Sequence, residues 1–164
     1  MKVKIGKYPT HRWYHSLLYK WFGYSQEQSV KVRIDPWDTW SMDETLAPII
    51  LPMLKQLKET KQGAPWVAVE DVPTDLRPTA EEVLQYRADG STDDKFFARW
   101  DWVLGEMIHA FEQKCADDWT EQFCEDDSSA EWGFRMDTEG VTKEQERISN
   151  GFRLFGKYFE NLWD

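Results

Sequence analysis

Between Phe96 and Cys115 the sequence places Phe96, Phe97, Trp100, Val103, Leu104, Met107, Ile108, Phe111 and Cys115 at intervals that keep returning to three or four residues. An α-helix turns once in about 3.6 residues, so this spacing lays the large side chains along one face; a strand would scatter them over both. A helix with so wide an apolar stripe does not stand alone in water, and the rest of the chain must cover it. Two further segments carry matching stripes. Leu46, Ile49, Ile50, Met53, Leu54 and Leu57 form one, opened by a Ser41/Glu44 capping box and closed by Gly63 and Pro65. Pro48 and Pro52 interrupt it, which predicts a kink or a late start. Ile148, Phe152, Phe155, Phe159 and Leu162 form the other, in a helix expected from Thr142 to Trp163 with a Thr142/Gln145 box. Gly151 and Gly156 in that helix cost about 1 kcal/mol each relative to alanine, and are read as room for a second backbone.

The N-terminal part reads differently. Val3 and Ile5 alternate with Lys2, Lys4 and Lys7, and Val30, Val32 and Ile34 alternate with Lys31 and Arg33, two short strand signals. Between them Trp13, Leu17, Leu18, Trp21 and Phe22 take a helical spacing that Gly23 can stop. Two strands around one helix predict a small βαβ-like or edge-paired unit. Further on, Thr79 with Glu82 predicts a short helix to Tyr86, and Asp89-Gly90-Ser91 predicts a turn. Residues 65–78, with Pro65, Pro73 and Pro78, read as a loop or edge strand, and Ala116–Phe134 as an acidic loop with one helical turn near Trp119. The expected fold class is mainly α (α+β): a helical domain with a small two-stranded β element near the N-terminus, forming a single domain over residues 1–164.

Composition narrows the function classes. A chain of 164 residues, 41% apolar and 30% charged, is long enough to bury its own core and too apolar for disorder. No run approaches the roughly 20 apolar residues of a membrane span. MKVKIGKY has no signal-peptide centre, and Cys115 and Cys124 are too few for a disulfide framework, so they read as reduced thiols in a cytoplasm. Charge is uneven: residues 1–34 hold seven Lys/Arg against Glu27 alone, a formal +6, leaving 13 basic and 29 acidic residues, −16, in the remainder. A net charge of −10 disfavours general nucleic-acid binding, which needs cations to displace phosphate counterions. A basic, aromatic segment still suits one small anion.

No pattern supports catalysis. The sequence has no phosphate-loop glycines, no nucleophile elbow and no dinucleotide fingerprint, and His109 is six residues from Cys115, off its helical face. His11 and His15 share a helix face as metal pairs do, but lack the motif's glutamate; a basic helix face explains them better. Glu106 and His109 match one carboxylate–histidine step of a di-iron bundle without the second step. Asp35, Asp38 and Asp43 read as caps and turn formers ahead of a cation site. The expectation is therefore no catalytic residue, no metal and no cofactor. For binding, the informative residues are Lys7, Tyr8, Arg12, Trp13, Arg33, Trp37 and Trp40, with Tyr14 and Lys20 nearby, because aromatic faces stack bases while Arg and Lys meet phosphates. On the residues alone, a core role for Trp13, Trp37 and Trp40 with solvated cations is the better-supported alternative.

KVRIDPWDTWSMDETLAPIILPMLKQLKETKQGAP, EDVPTDLRP, FFARWDWVLGEMIHAFEQK and NGFRLFGKYFENLW, in that order, cover roughly half the chain and resemble a family of small proteins of tailed bacteriophages. In size and in lacking catalytic residues the chain is also similar to phage anti-CBASS sponge proteins, which sequester cyclic nucleotide alarm signals and oligomerise around them. The resemblance implies a non-enzymatic protein in the cytoplasm of an infected bacterium, binding a small anionic nucleotide, with no membrane partner; a homo-oligomer is expected from the Ile148–Leu162 seam and from an aromatic content large for one small core. It carries over no ligand contacts. The alternatives are an acidic inhibitor that imitates DNA toward a host nuclease or polymerase, supported by the −16 remainder, and a phage structural accessory.

Overall fold

The computed structural model describes residues 1–7, 10, 12–23, 27–116, 118–126 and 133–163. It is mainly α: α1 (Trp13–Phe22), α2 (Met42–Thr60), α3 (Ala80–Asp89), α4 (Phe96–Cys115) and α5 (Thr138–Lys157), with strands β1 (Lys2–Ile5), β2 (Val30–Arg33), β3 (Cys124–Asp126) and β4 (Phe134–Met136). The two-stranded sheet expected near the N-terminus is β1–β2. It is antiparallel and edge-paired, not a parallel βαβ unit. The chain divides into two compact units, Met1–Thr45 and Leu46–Asp164.

The C-terminal unit is built on α4. Trp100, Val103, Leu104, Met107, Ala110 and Phe111 are buried along the face that the spacing predicts, and Leu54, Val67, Val72, Leu154 and Tyr158 close over them. Each such side chain contributes about 1.5–3 kcal/mol. Phe97, assigned to the same stripe, is half exposed. Phe111 receives the edges of Phe152 and Phe155 at 5.1 and 5.0 Å between ring centroids, the geometry aromatic quadrupoles favour.

α2 starts at Met42, with Thr45 N donating to the Ser41 carbonyl, so the late start expected from the prolines does not occur. Pro48 and Pro52 both lie on its exposed side, where water can meet the carbonyls they leave without donors. Ala47 and Leu54 on the other side are buried, and that burial holds the helix. Salt bridges Lys55–Glu112 and Lys61–Asp101 run α2 opposite to α4. α3 has the expected reciprocal box, Thr79 N to Glu82 Oε2 at 2.6 Å and Glu82 N to Thr79 Oγ1 at 3.3 Å.

Two expectations need correction. The acidic stretch after α4 is not wholly loop, since Cys124–Asp126 pairs with Phe134–Met136, with Glu125 opposite Arg135. α5 begins four residues earlier than the Thr142/Gln145 box implies: Asp137 caps it by accepting from Gly140 N, while Thr142 Oγ1 donates to the Thr138 carbonyl inside the helix. Its buried line is Ile148, Gly151, Leu154 and Tyr158; Phe159 falls beyond the helix end and is exposed. That line packs on α4 within the chain, so the Ile148–Leu162 seam is not a free surface for a second copy.

The packing is closest at Gly151. A Cβ there would meet Ala110 Cβ and the Glu106 carbonyl oxygen, each at 2.5 Å, whereas one at Gly156 would meet nothing within 4 Å. Gly151→Ala is therefore expected to destabilise by about 1–3 kcal/mol through overpacking, although alanine is the better helix former. Gly156→Ala should stabilise by about 0.5–1 kcal/mol. Urea midpoints moving in opposite directions for the two variants would confirm both.

Candidate anion-binding surface of the N-terminal unit

β1 and β2 pair Lys2 with Arg33, Val3 with Val32, Lys4 with Lys31 and Ile5 with Val30. Directly opposed residues point to one side of a sheet, so Lys2, Lys4, Lys31 and Arg33 share a face and the aliphatic residues take the other. Like charges opposite one another disfavour a strand pair, and an anion over the cationic face relieves that cost. Gly6 N to Ser29 O and Gln28 Nε2 to Gly6 O, at 2.7 and 2.8 Å, extend the pairing by a step.

A one-turn 3-10 helix, Pro36–Thr39, follows β2. Asp35 caps it, accepting from Trp37 N at 3.1 Å, and its own N–H donates to Asp38 Oδ2 at 2.7 Å. The cap and turn reading of this acidic cluster is what the structure contains. Asp38 also pairs with the Met1 ammonium at 2.5 Å, and that bond, followed by the Asp35 N–H, holds its carboxyl below the usual range. The contact brings the Lys2–Arg33 end of the sheet beside the turn. There Trp37 and Trp40 stand 75% and 82% exposed, with ring centroids 5.9 Å apart and planes at 40°.

Arg33, Trp37 and Trp40 are thus brought together, and neither tryptophan is core. Arg12 and Trp13 lie elsewhere, at the start of α1, with Trp13 79% exposed and edge-on to Tyr14. Among the described residues no hydrogen bond or ring contact joins them to the Trp37–Trp40 pair. Lys7 is exposed past the end of β1, and Tyr8 lies outside the described residues. Lys2, Lys4 and Lys31, which share this face with Arg33, are not among the residues that the sequence singles out for binding. Their alternation was readable in sequence, but the register that puts them on one face with Arg33 was not.

The remaining candidates are used structurally. His15 is buried, and its Nδ1 accepts from Arg12 N at 2.9 Å, replacing the carboxylate of a capping box; His11 lies outside the described residues. Arg147 clasps Glu106 through Nε and Nη2 at 3.0 and 2.7 Å, and His109 Nε2 meets Glu144 at 2.5 Å, which commits both members of the carboxylate–histidine step to α5. Among the described residues no group of three or more His, Cys, Asp or Glu could hold a metal ion. A hollow of about 560 Å³ at the β3–β4 pair and the start of α5 is lined by Arg135 but also by Glu125, Asp137 and Glu139, whose carboxylates outnumber its one guanidinium and disfavour an anion. Protein-family models, curated proteins and solved structures yield no match to this chain. No helix among the described residues is long and apolar enough to cross a membrane.

The most concentrated charge chemistry in the C-terminal unit surrounds Asp71, whose side chain is fully buried. Tyr158 Oη and Arg153 Nη2 donate to it at 2.7 Å and Lys157 Nζ at 2.5 Å, while Tyr158 Oη accepts from Ala68 N. Burial pushes the Asp71 carboxyl up, but donation from Lys157, Tyr158 and Arg153 outweighs it, so its pKa falls below the ordinary value. The Tyr158 phenol is pushed up to about 12, first by burial and then by Asp71. A depressed carboxylate stabilises the fold above its unfolded pKa and loses that contribution as pH falls through its folded pKa. Asp71→Asn should therefore cost about 1.5–3 kcal/mol near neutrality and flatten the fall in stability below about pH 4. Urea unfolding at a series of acidic pH values measures both effects.

Proposed function

We propose that this protein captures a small nucleotide without turning it over, as a bacteriophage product that removes a cyclic nucleotide signal of host defence. The observation that carries the reading is the strand register that gathers Lys2, Lys4, Lys31 and Arg33 on one face, next to the exposed Trp37–Trp40 pair. Phosphates fit the cations, with Arg33 offering a two-pronged donor, and a base fits an exposed indole face. Capture needs affinity and abundance but no activated nucleophile. In the acidic inhibitor alternative the carboxylates themselves are the recognition surface. Asp71, Asp93, Asp101, Glu106 and Glu112 are instead paired with Lys or Arg side chains of the same chain, which leaves that reading with less free negative surface.

Titration calorimetry against cyclic di- and trinucleotides, with linear nucleotides as controls, tests the proposal. Arg33→Ala should weaken binding by about 1.5–3 kcal/mol, and Trp37→Ala or Trp40→Ala by about 1–3 kcal/mol. Because all three side chains are exposed, the folded state should survive each change. Rising salt should weaken binding in parallel. Absence of heat from every nucleotide at micromolar protein would overturn capture and favour the protein-binding alternative.

A further inference from the structure

The N-terminal unit departs from globular practice in one respect. Among its described residues only His15 is buried, and no apolar side chain is. α1 is well formed, ending at Gly23 in the left-handed conformation with φ 64°, yet its apolar half, where Trp13, Leu17, Trp21 and Phe22 lie, is exposed. The aliphatic side of the β1–β2 sheet is also largely exposed, at Ile5, Val30 and Val32. A sheet of two four-residue strands is marginal by itself, and exposed apolar faces of this size are normally covered by a partner.

We infer that the apolar half of α1 is a self-association surface, and that its occupant is the same helix of a second copy. Three observations favour that occupant. First, charge: α1 contains one charged side chain, Lys20, whereas the Leu46–Asp164 unit holds 13 basic and 25 acidic residues, −12. Two copies that repel elsewhere can meet through α1 with little like-charge contact. Second, segregation: the cations of the sheet lie on the face opposite its aliphatic residues, so apolar contact between copies leaves Lys2, Lys4, Lys31 and Arg33 in solvent. Third, area: Trp13 and Trp21, 79% and 75% exposed, with Leu17 and Phe22 offer on the order of 500 Å² per copy. That is most of the roughly 800 Å² per partner in a standard interface. An anionic lipid surface fits less well, because a ten-residue helix with one lysine, in a chain at −10, brings little attraction to it.

This inference stands whether or not a nucleotide binds, and its test uses none. Sedimentation equilibrium of the full chain across the micromolar range should show a species of at least twice the 19.5 kDa of one chain. Leu17→Glu and Trp21→Glu should each weaken association by about tenfold or more, and the double variant should be monomeric. Leu84→Glu, at an exposed position on α3, should leave association unchanged. An unaltered far-ultraviolet spectrum and a cooperative thermal transition show that the variants remain folded, as the exposure of Leu17 and Trp21 leads one to expect. A wild-type monomer at every concentration, or an assembly that persists in the double variant, overturns the proposal. So does a monomer that co-sediments with phosphatidylglycerol–phosphatidylcholine vesicles through Leu17 and Trp21, which would make lipid the occupant.

Discussion

The C-terminal unit depends on how near α5 can come to α4. At Gly151 the missing Cβ lets the α5 backbone settle against Ala110 and the Glu106 carbonyl. The side chains on either side follow from that contact. Phe152 and Phe155 reach the Phe111 ring, Leu154 is wholly buried, and Tyr158 lies edge-on to Trp100. Holding the helices apart by the width of a methyl group would weaken all of these contacts together, because dispersion falls steeply with separation. A glycine that looks like a defect in an isolated helix is therefore the condition for the core.

Charged groups do a different task, which is to fix the non-helical segments. Asp71 anchors the stretch between α2 and α3 to Arg153, Lys157 and Tyr158 of the C-terminal segment. Arg99, buried on α4, forks onto Asp93 at 2.9 and 2.6 Å and donates through Nε to the Leu76 carbonyl at 2.8 Å. Each holds a loop against the helical core where no regular backbone pairing is available. A buried ion is tolerable only when it is paired and hydrogen-bonded; both Asp71 oxygens and all three Arg99 guanidinium nitrogens have partners. Loops held this way leave the helical faces to apolar contact.

The N-terminal unit reverses the arrangement. Its polar anchors include the Asp35 cap, the Asp38 link to Met1 and the His15 box, while its largest apolar side chains are exposed. The same aromatic abundance therefore serves two ends in one chain. In the C-terminal unit rings pack on one another, edge to face around Phe111 and stacked between Trp66 and Tyr86. In the N-terminal unit they present surface, beside cations that one strand register has collected.

The sequence by itself determined the helices, their order and several of their ends, because a one-sided stripe and a local cap are properties of residues three or four apart. Phe96–Cys115, the Thr79/Glu82 box and the stop at Gly23 were all legible for that reason. The mainly α class and the small N-terminal sheet followed from the same periodicities. Tertiary structure decided what no local window contains. It moved the start of α5 to Thr138, paired Cys124–Asp126 with Phe134–Met136, and turned Ile148, Gly151, Leu154 and Tyr158 inward. It also placed four cations on one face and left Trp13, Trp37 and Trp40 in solvent. Periodicity says that a face is apolar, but only the position of other elements says whether that face is covered.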